Sequence, residues 1–350
     1  MTNSTELIRW LVGLVGPSGE EKAVREALAE RVRSLGYDPE TDAKGNLLVS
    51  LPGDPSLPNI VVTAHLDEIA LIITGIEEDG KIRVAAVGGT YTWKWGEGPV
   101  EILAGTSLVT AILSYGGIHT NHEDSVVEKA RHAPLPWKHG YLFTGMDSER
   151  LKAAGVRVGL RVVLARSRRQ VTEFGDFVAA YFLDDRADLA VWLMALEALK
   201  NVPGTTRPAI TFAATASEEV GAEGALFLLR KRPADICIAL EIGPKTTDTD
   251  LPIDANTTIW VRDGYAAMEA IDGELLTRCC EEIGMTPHWQ YLSRGGSDAS
   301  CAAALGLTAR PVTFGLPVEN SHGYEIMHRD APGEMLRLLL AYLERVGKPG

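Results

Sequence analysis

The segment 208–224, PAITFAATASEEVGAEG, constrains this chain more than any other stretch. Around Ile210 and Phe212 the apolar character is nearly continuous, not alternating, which is the pattern of a strand covered on both faces. Such a strand then runs into Glu218 and Glu219 and a glycine-rich turn. In open α/β sheets ligands sit in the crevice at the carboxyl ends of the strands, so two charges at this place are positioned for chemistry. The same pair also suits the first turn of a helix, where acidic side chains favour the dipole. This stretch alone does not separate the two readings.

The pattern recurs along the chain. NIVVTAH is another continuous apolar run; it ends at His65 and is followed by Leu66, Asp67 and Glu68. DICIALEIG places Glu241 at the carboxyl end of a third strand, and LTARPVTFGLP leads into ENSHGYE with His322. Asp184 and Asp185 open a helix whose Leu189, Trp192, Leu193, Leu196 and Leu199 form an apolar face. Either aspartate would also serve as an N-cap. Gly295 and Gly296, ahead of Ser297 and Asp298, have the form of a turn that aims backbone N–H groups at a substrate anion. A flexible turn with a good helix cap has the same form. Near the start, Ser18 and Glu21 have the spacing of a capping box for a helix that ends at Gly36.

From about Ala70 to about Val171 the texture changes to short β-like segments with glycine turns. Asp79-Gly80 within IEEDGKIRV suits a tight type I′ hairpin turn. About a hundred residues of this kind exceed the dozen or so that a crossover between parallel strands needs. The expected architecture is therefore α/β: a doubly wound mixed sheet flanked by helices over residues 1–69 and 172–350, with a small β-barrel-like domain inserted at 70–171.

Composition narrows the function. A formal charge of −13 over 350 residues opposes nucleic acid, which is bound by lysine and arginine displacing counterions, and opposes an anionic membrane surface. No uncharged apolar run approaches the ~18 residues that span a bilayer. At the N-terminus the apolar patch is preceded by Glu6 and interrupted by Arg9, so it reads as an amphipathic helix and not a signal peptide. The expected location is the cytoplasm. Cys237, Cys279, Cys280 and Cys301 form no CxxC pair, which makes a disulfide scaffold or a thiolate metal site improbable.

His65, Glu218, Glu219, Glu241 and His322 thus stand at strand ends, with Asp184 opening a helix on the same side. Like charges gathered there would repel one another. A cation resolves the repulsion. Nitrogen and oxygen donors without thiolate favour zinc, cobalt or manganese. Five or more ligands exceed one tetrahedral site, so two ions about 3.5–4 Å apart and bridged by a carboxylate are the expectation.

With AHLDE at His65, LDDRAD at Asp184, SEEVGAEGA at Glu218, GGSDAS at Gly295 and SHGYE at His322, the chain resembles the dinuclear-metal aminopeptidases of the glutamyl and deblocking, or tetrahedral (TET), type. These are related to zinc carboxypeptidases and deacylases. The resemblance implies a zinc-exopeptidase-like fold and a homo-oligomer, the family assembling as dodecamers. It implies that His65 binds one metal and His322 the other, that Asp184 bridges the two and precedes a cis peptide bond, and that Glu219 and Glu241 complete one metal each. Asp67 would hold the His65 imidazole in its tautomer, and Glu218 would be the general base. The implied substrate is a short peptide, bound with help from Gly296, Ser297 and Asp298. Where the family usually has aspartate this chain has Glu241, a residue more typical of the carboxypeptidases and deacylases. A zinc carboxypeptidase or N-acyl-amino-acid deacylase is therefore one alternative, and a catalytically silent scaffold or binding protein of this fold is another.

Overall fold

Four strands with almost wholly buried side chains lie side by side and parallel at the centre of the chain's main sheet. In the computed structural model, residues 3–120, 122–204 and 207–346 are described. They divide into two compact units, Met1–Asp67 with Val171–Gly350, and Glu68–Gln170.

The first unit begins with helices α1 (Ser4–Val12) and α2 (Lys22–Ser34), then strands β1 (Glu40–Thr41), β2 (Leu47–Leu51) and β3 (Ile60–His65). The chain then enters the second unit, with β4 (Ala70–Ile76), β5 (Ile82–Val87), α3 (Thr92–Trp95), β6 (Gly98–Ala104), β7 (Ser107–Ser114), α4 (Val126–His132), β8 (Tyr141–Phe143), α5 (Ser148–Ala153) and β9 (Arg161–Leu164). These six strands close into a barrel in the order β4-β5-β8-β7-β6-β9. Closure removes the open edges that short antiparallel strands would otherwise expose. The β4–β5 hairpin differs from the expected type I′ turn. Glu77 N–H reaches the Lys81 carbonyl at 2.8 Å around a three-residue loop, and only Gly80 has a positive φ, of 85°. A type I′ turn needs two such residues, so the chain uses the longer loop with glycine at its left-handed position. Glu68, at the start of this unit, is fully buried in an ion pair with Arg169. That pairing takes Glu68 out of the row of candidate ligands.

Back in the first unit come β10 (Thr172–Phe174), β11 (Phe177–Tyr181), α6 (Leu183–Leu199), β12 (Ile210–Thr215), α7 (Glu223–Lys231), β13 (Ala234–Pro244), β14 (Thr258–Arg262), α8 (Ala270–Ile283), β15 (His288–Tyr291), α9 (Asp298–Ala304), β16 (Thr308–Glu319), β17 (Tyr324–His328) and α10 (Ala331–Arg345). The sheet runs β1-β2-β12-β3-β13-β16-β17-β11-β10, with β14 joined to β16 and β15 to β14. The fold is the mixed α/β architecture expected, with parallel β12, β3, β13 and β16 in the middle and antiparallel strands on both flanks. All six residues of β3 are buried, because both faces are covered. Helix α6 packs on β3, β13, α1 and α10 and is buried on every side from Leu183 to Leu196, Arg186 and Asp188 included. Its sequence suggested one apolar face; the flanking helices cover the rest. Gly243 of β13 and Gly315 of the adjacent β16 are glycine because Thr258 of β14 lies where their Cβ atoms would be, at 2.3 and 2.1 Å.

Candidate metal centre

Parallel pairing brings the strand ends to one level. Thr215 of β12 stands opposite His65 of β3, and Glu241 of β13 opposite Gly315 of β16. His65, Asp184, Asp185 and Glu241 offer ligand atoms within 4.8 Å of one another, and so do Asp184, Glu219 and His322. Asp184 belongs to both groups. Its Oδ1 lies 2.9 Å from His65 Nε2 and its Oδ2 3.3 Å from His322 Nε2. Glu219 Oε2 is 4.0 Å from the same His322 nitrogen. One carboxylate therefore presents a different oxygen to each half of the site.

The backbone is unusual where it carries these residues. The Asp184–Asp185 peptide is cis. Phe182, Ser217, Ala222, Asn320 and His322 all have positive φ without being glycine. Each lies within four residues of a candidate ligand or base, consistent with the clustering of sparsely populated conformations at functional sites.

Hydrogen bonds fix the ligands from behind. His65 Nδ1 is 3.1 Å from the Asp67 carbonyl oxygen and 3.5 Å from Asp67 Oδ1. In the neutral ring Nδ1–H donates to that carbonyl, which leaves the Nε2 lone pair facing Asp184. Asp67 does more than orient this ring. Its Oδ1 accepts from Glu218 N–H at 2.8 Å, and its Oδ2 accepts from Glu219 N–H at 3.2 Å and from the Ser18 hydroxyl at 2.6 Å. Asp185 Oδ2 accepts from the backbone N–H of His65 at 2.5 Å. Buried Glu325 accepts from Asp184 N–H with Oε2, at 3.1 Å, and from His322 N–H with Oε1, at 2.8 Å.

Electrostatically this is a pocket short of positive charge. Burial pushes Glu241 and Glu218 well above the usual carboxylate range, and neighbouring carboxylates push further in the same direction. Burial also raises Glu219 to about 7, Asp188 to about 8 and Glu325 to about 8. Asp184 goes the other way: burial opposes its charge, but hydrogen bonds from His322 and His65 hold it below the ordinary value. At His65, burial opposes protonation, yet the Asp185 charge and bonds to Asp184 and Asp67 outweigh it and hold the imidazole well above its usual range. Protons thus stand where cations would. The donor set, two imidazoles and four carboxylates with no thiolate, fits hard or borderline divalent ions.

The other expected contacts lie nearby. Ser297 is buried and caps α9, accepting from Ser300 N–H and meeting the Thr313 hydroxyl at 2.7 Å. Asp298 is buried and its Oδ2 accepts from Thr215 at 2.7 Å. Gly296 is partly exposed, with the Tyr265 ring against its α-carbon.

Ser18 and Glu21 do not form the expected capping box. Helix α2 starts at Lys22 without a side-chain cap; Ser18 donates to Asp67, and Glu21 accepts from the N–H and hydroxyl of Ser217, both at 3.1 Å. Partners at the strand ends, an acceptor for Ser18 and donors for Glu21, outcompete the local cap. Asp185 and Glu325 stood inside the LDDRAD and SHGYE motifs, which was the only signal that could have singled them out.

Residues 45–338 match the model of the M42 glutamyl aminopeptidase family. A putative aminopeptidase of Acetivibrio thermocellus is 26% identical over 325 residues, covering 91% of each chain. The glutamyl aminopeptidase of Lactococcus lactis is 24% identical over 329 residues, covering 91% of this chain and 89% of its own. Among solved structures, the TET1 peptidase of Pyrococcus horikoshii superposes with a TM-score of 0.83 at 24% identity, covering 97% of this chain and 99% of its own.

Proposed function

The chain belongs to the M42 glutamyl aminopeptidase family and is a metal-dependent aminopeptidase; from that premise we propose that it removes N-terminal residues from short peptides with two divalent cations and Glu218 as general base. His65 and Glu241, with Asp184 Oδ1, would hold one ion. Glu219 and His322, with Asp184 Oδ2, would hold the other. Zinc is the reading the donor set favours, with cobalt or manganese as the other metals it suits. When bound, such ions polarise the scissile carbonyl and bring the pKa of a water toward about 7.

The remaining work falls to the protein. Adjacent residues on a regular strand point to opposite faces, but β12 has ended at Thr215 and turned, so Glu218 and Glu219 can serve one site. Glu218 takes the proton of the attacking water and returns it to the departing amine, a task for a carboxylate within hydrogen-bond reach that is not itself a ligand. Asp67 keeps the His65 ring in one orientation and the Glu218–Glu219 turn in one shape. Gly296 contacts substrate through its backbone, and Ser297 and Asp298 fix that turn from the buried side.

One observation carries this reading: the two oxygens of Asp184 face two different imidazoles. The carboxypeptidase or deacylase alternative is not favoured, since the curated relatives reported above are named as aminopeptidases. Similarity to a structure described as a dodecamer supports a homo-oligomer, with a dodecamer as the form it suggests. No helix among the described residues is long and apolar enough to cross a membrane, in keeping with the reading of a cytoplasmic enzyme.

The test is metal stoichiometry together with turnover of aminoacyl-anilides. Two ions per chain are expected, and Glu218→Gln keeps both while losing about 10²–10⁴ in turnover. One ion per chain would overturn the bridge, and cleavage of N-acyl amino acids alone would overturn the aminopeptidase specificity.

A further inference from the structure

Four consecutive backbone N–H groups, those of Ala216, Ser217, Glu218 and Glu219, all point at side chains from the first 67 residues of the chain. Asn46 Oδ1 accepts from Ala216 at 2.9 Å, Glu21 Oε1 from Ser217 at 3.1 Å, Asp67 Oδ1 from Glu218 at 2.8 Å and Asp67 Oδ2 from Glu219 at 3.2 Å. All three acceptor residues are buried. Each is anchored in turn. Glu21 Oε1 also accepts from Gly19 N–H at 2.7 Å and from the Ser217 hydroxyl at 3.1 Å. Asp67 accepts the Ser18 hydroxyl, and Asn46 Nδ2 donates to the Gly224 carbonyl at 2.9 Å, so the far end of the turn is held as well.

A turn leaving a strand end needs partners for its N–H groups, and water supplies them at most surface turns. Here the partners are buried side chains, two of them carboxylates, set beside a cluster already crowded with acid. Burying charge is unfavourable unless hydrogen bonds compensate it, so stability alone gives no reason for this choice. What the arrangement does is hold Ser217 at a φ of 58°, a conformation that a non-glycine residue rarely adopts. That conformation turns the chain so that Glu218 and Glu219 leave it toward one site.

We propose that Glu21, with Asn46 and Ser18, is a positioning element for the Glu218 carboxylate: a cradle, built by the segment between α1 and α2 and by the residue just before β2, that sets the aim of the base without touching substrate. The proposal rests on Glu218 being the base.

In the metal-loaded full chain, Glu21→Ala is expected to lower kcat on an aminoacyl-anilide about ten- to a hundredfold, the scale of misplacing a reacting group by about 1 Å. KM and the metal content should be little changed. Glu21→Gln, whose amide oxygen can accept the same three donors, should recover most of the rate. Ser18→Ala removes one bond to Asp67 and should lower kcat about fivefold. A folded Glu21→Ala protein with wild-type kcat overturns the proposal, as does a loss of kcat that follows loss of metal or that Glu21→Gln shares in full. Should Glu21→Ala fail to fold, Ser18→Ala decides, and an unchanged kcat there overturns the cradle. Glu218→Gln tests the base by itself: an active variant would remove the base assignment, whereas an inactive one beside a fully active Glu21→Ala would remove the cradle alone.

Discussion

The two imidazoles of the site are secured by opposite means. His65 ends the central parallel strand β3, its side chain is 2% exposed, and its backbone is tied to Asp185. His322 sits in the loop between β16 and β17, 30% exposed, with a φ of 59° and its N–H on Glu325. One is fixed because the sheet around it is fixed; the other is held by local contacts of its loop, the buried Glu325 carboxylate among them. A region held by the core opens only when the core opens, while a region held by a local contact can loosen by itself. The two halves should therefore respond differently to the same perturbation.

The largest effect should come from the residue the halves share. Asp184→Ala removes an oxygen from each, so both ions are expected to be lost and turnover to fall by about 10³ or more. Retention of one tightly held ion would show that the halves are independent. His322→Ala should leave one ion per chain and lower turnover about 10²-fold or more; loss of both ions would erase the distinction. Glu325→Gln keeps one acceptor oxygen and replaces the other by a donor. It should weaken metal binding at the His322 half about 10- to 100-fold and at the His65 half, which it reaches only through the Asp184 backbone, by less in chelator titrations.

The smallest effect concerns pH. In the metal-free protein Glu219 is raised from 4.5 to about 7 and Glu325 from 4.5 to about 8, in both cases chiefly by burial. A carboxyl with a raised folded-state pKa stabilises the fold while protonated, so that contribution is present below the unfolded value and is lost as pH rises through about 7 to 8. The melting temperature of the metal-free protein should therefore fall by about 3 °C or more between pH 6 and 9. Metal should reduce the slope by taking the place of the proton on Glu219, and an equal slope with metal bound would contradict the shared use of Glu219 by proton and cation.

The sequence showed the His65 half more readily than the supports of either half. Continuous apolar runs ending at His65 and before Glu218, and one containing Glu241, are visible because burial on both faces leaves a direct mark on residue type. Asp184 was legible from its place at the start of a helix. Among the supports Asp67 stood out through the motif after His65, but Glu21, Asn46 and Glu325 did not, because they act on backbone N–H groups, and an N–H looks the same at every residue. Ser18 and Glu21 even carried a competing local signal, the spacing of a helix cap. In the same way Ser297 and Asp298 announced a turn near the site, but their side chains serve α9 and Thr215.

The pairing of β3 with β12 and β13 has a further consequence, one that bears on how the chain is made. During synthesis His65 emerges early and must wait for strands that begin at Ile210 and Ala234, and contacts so distant in sequence close slowly. His322, just ahead of the last strand, and Glu325, within it, come later still. The candidate ligands of both halves can therefore meet only after His322 has emerged, more than 250 residues behind His65.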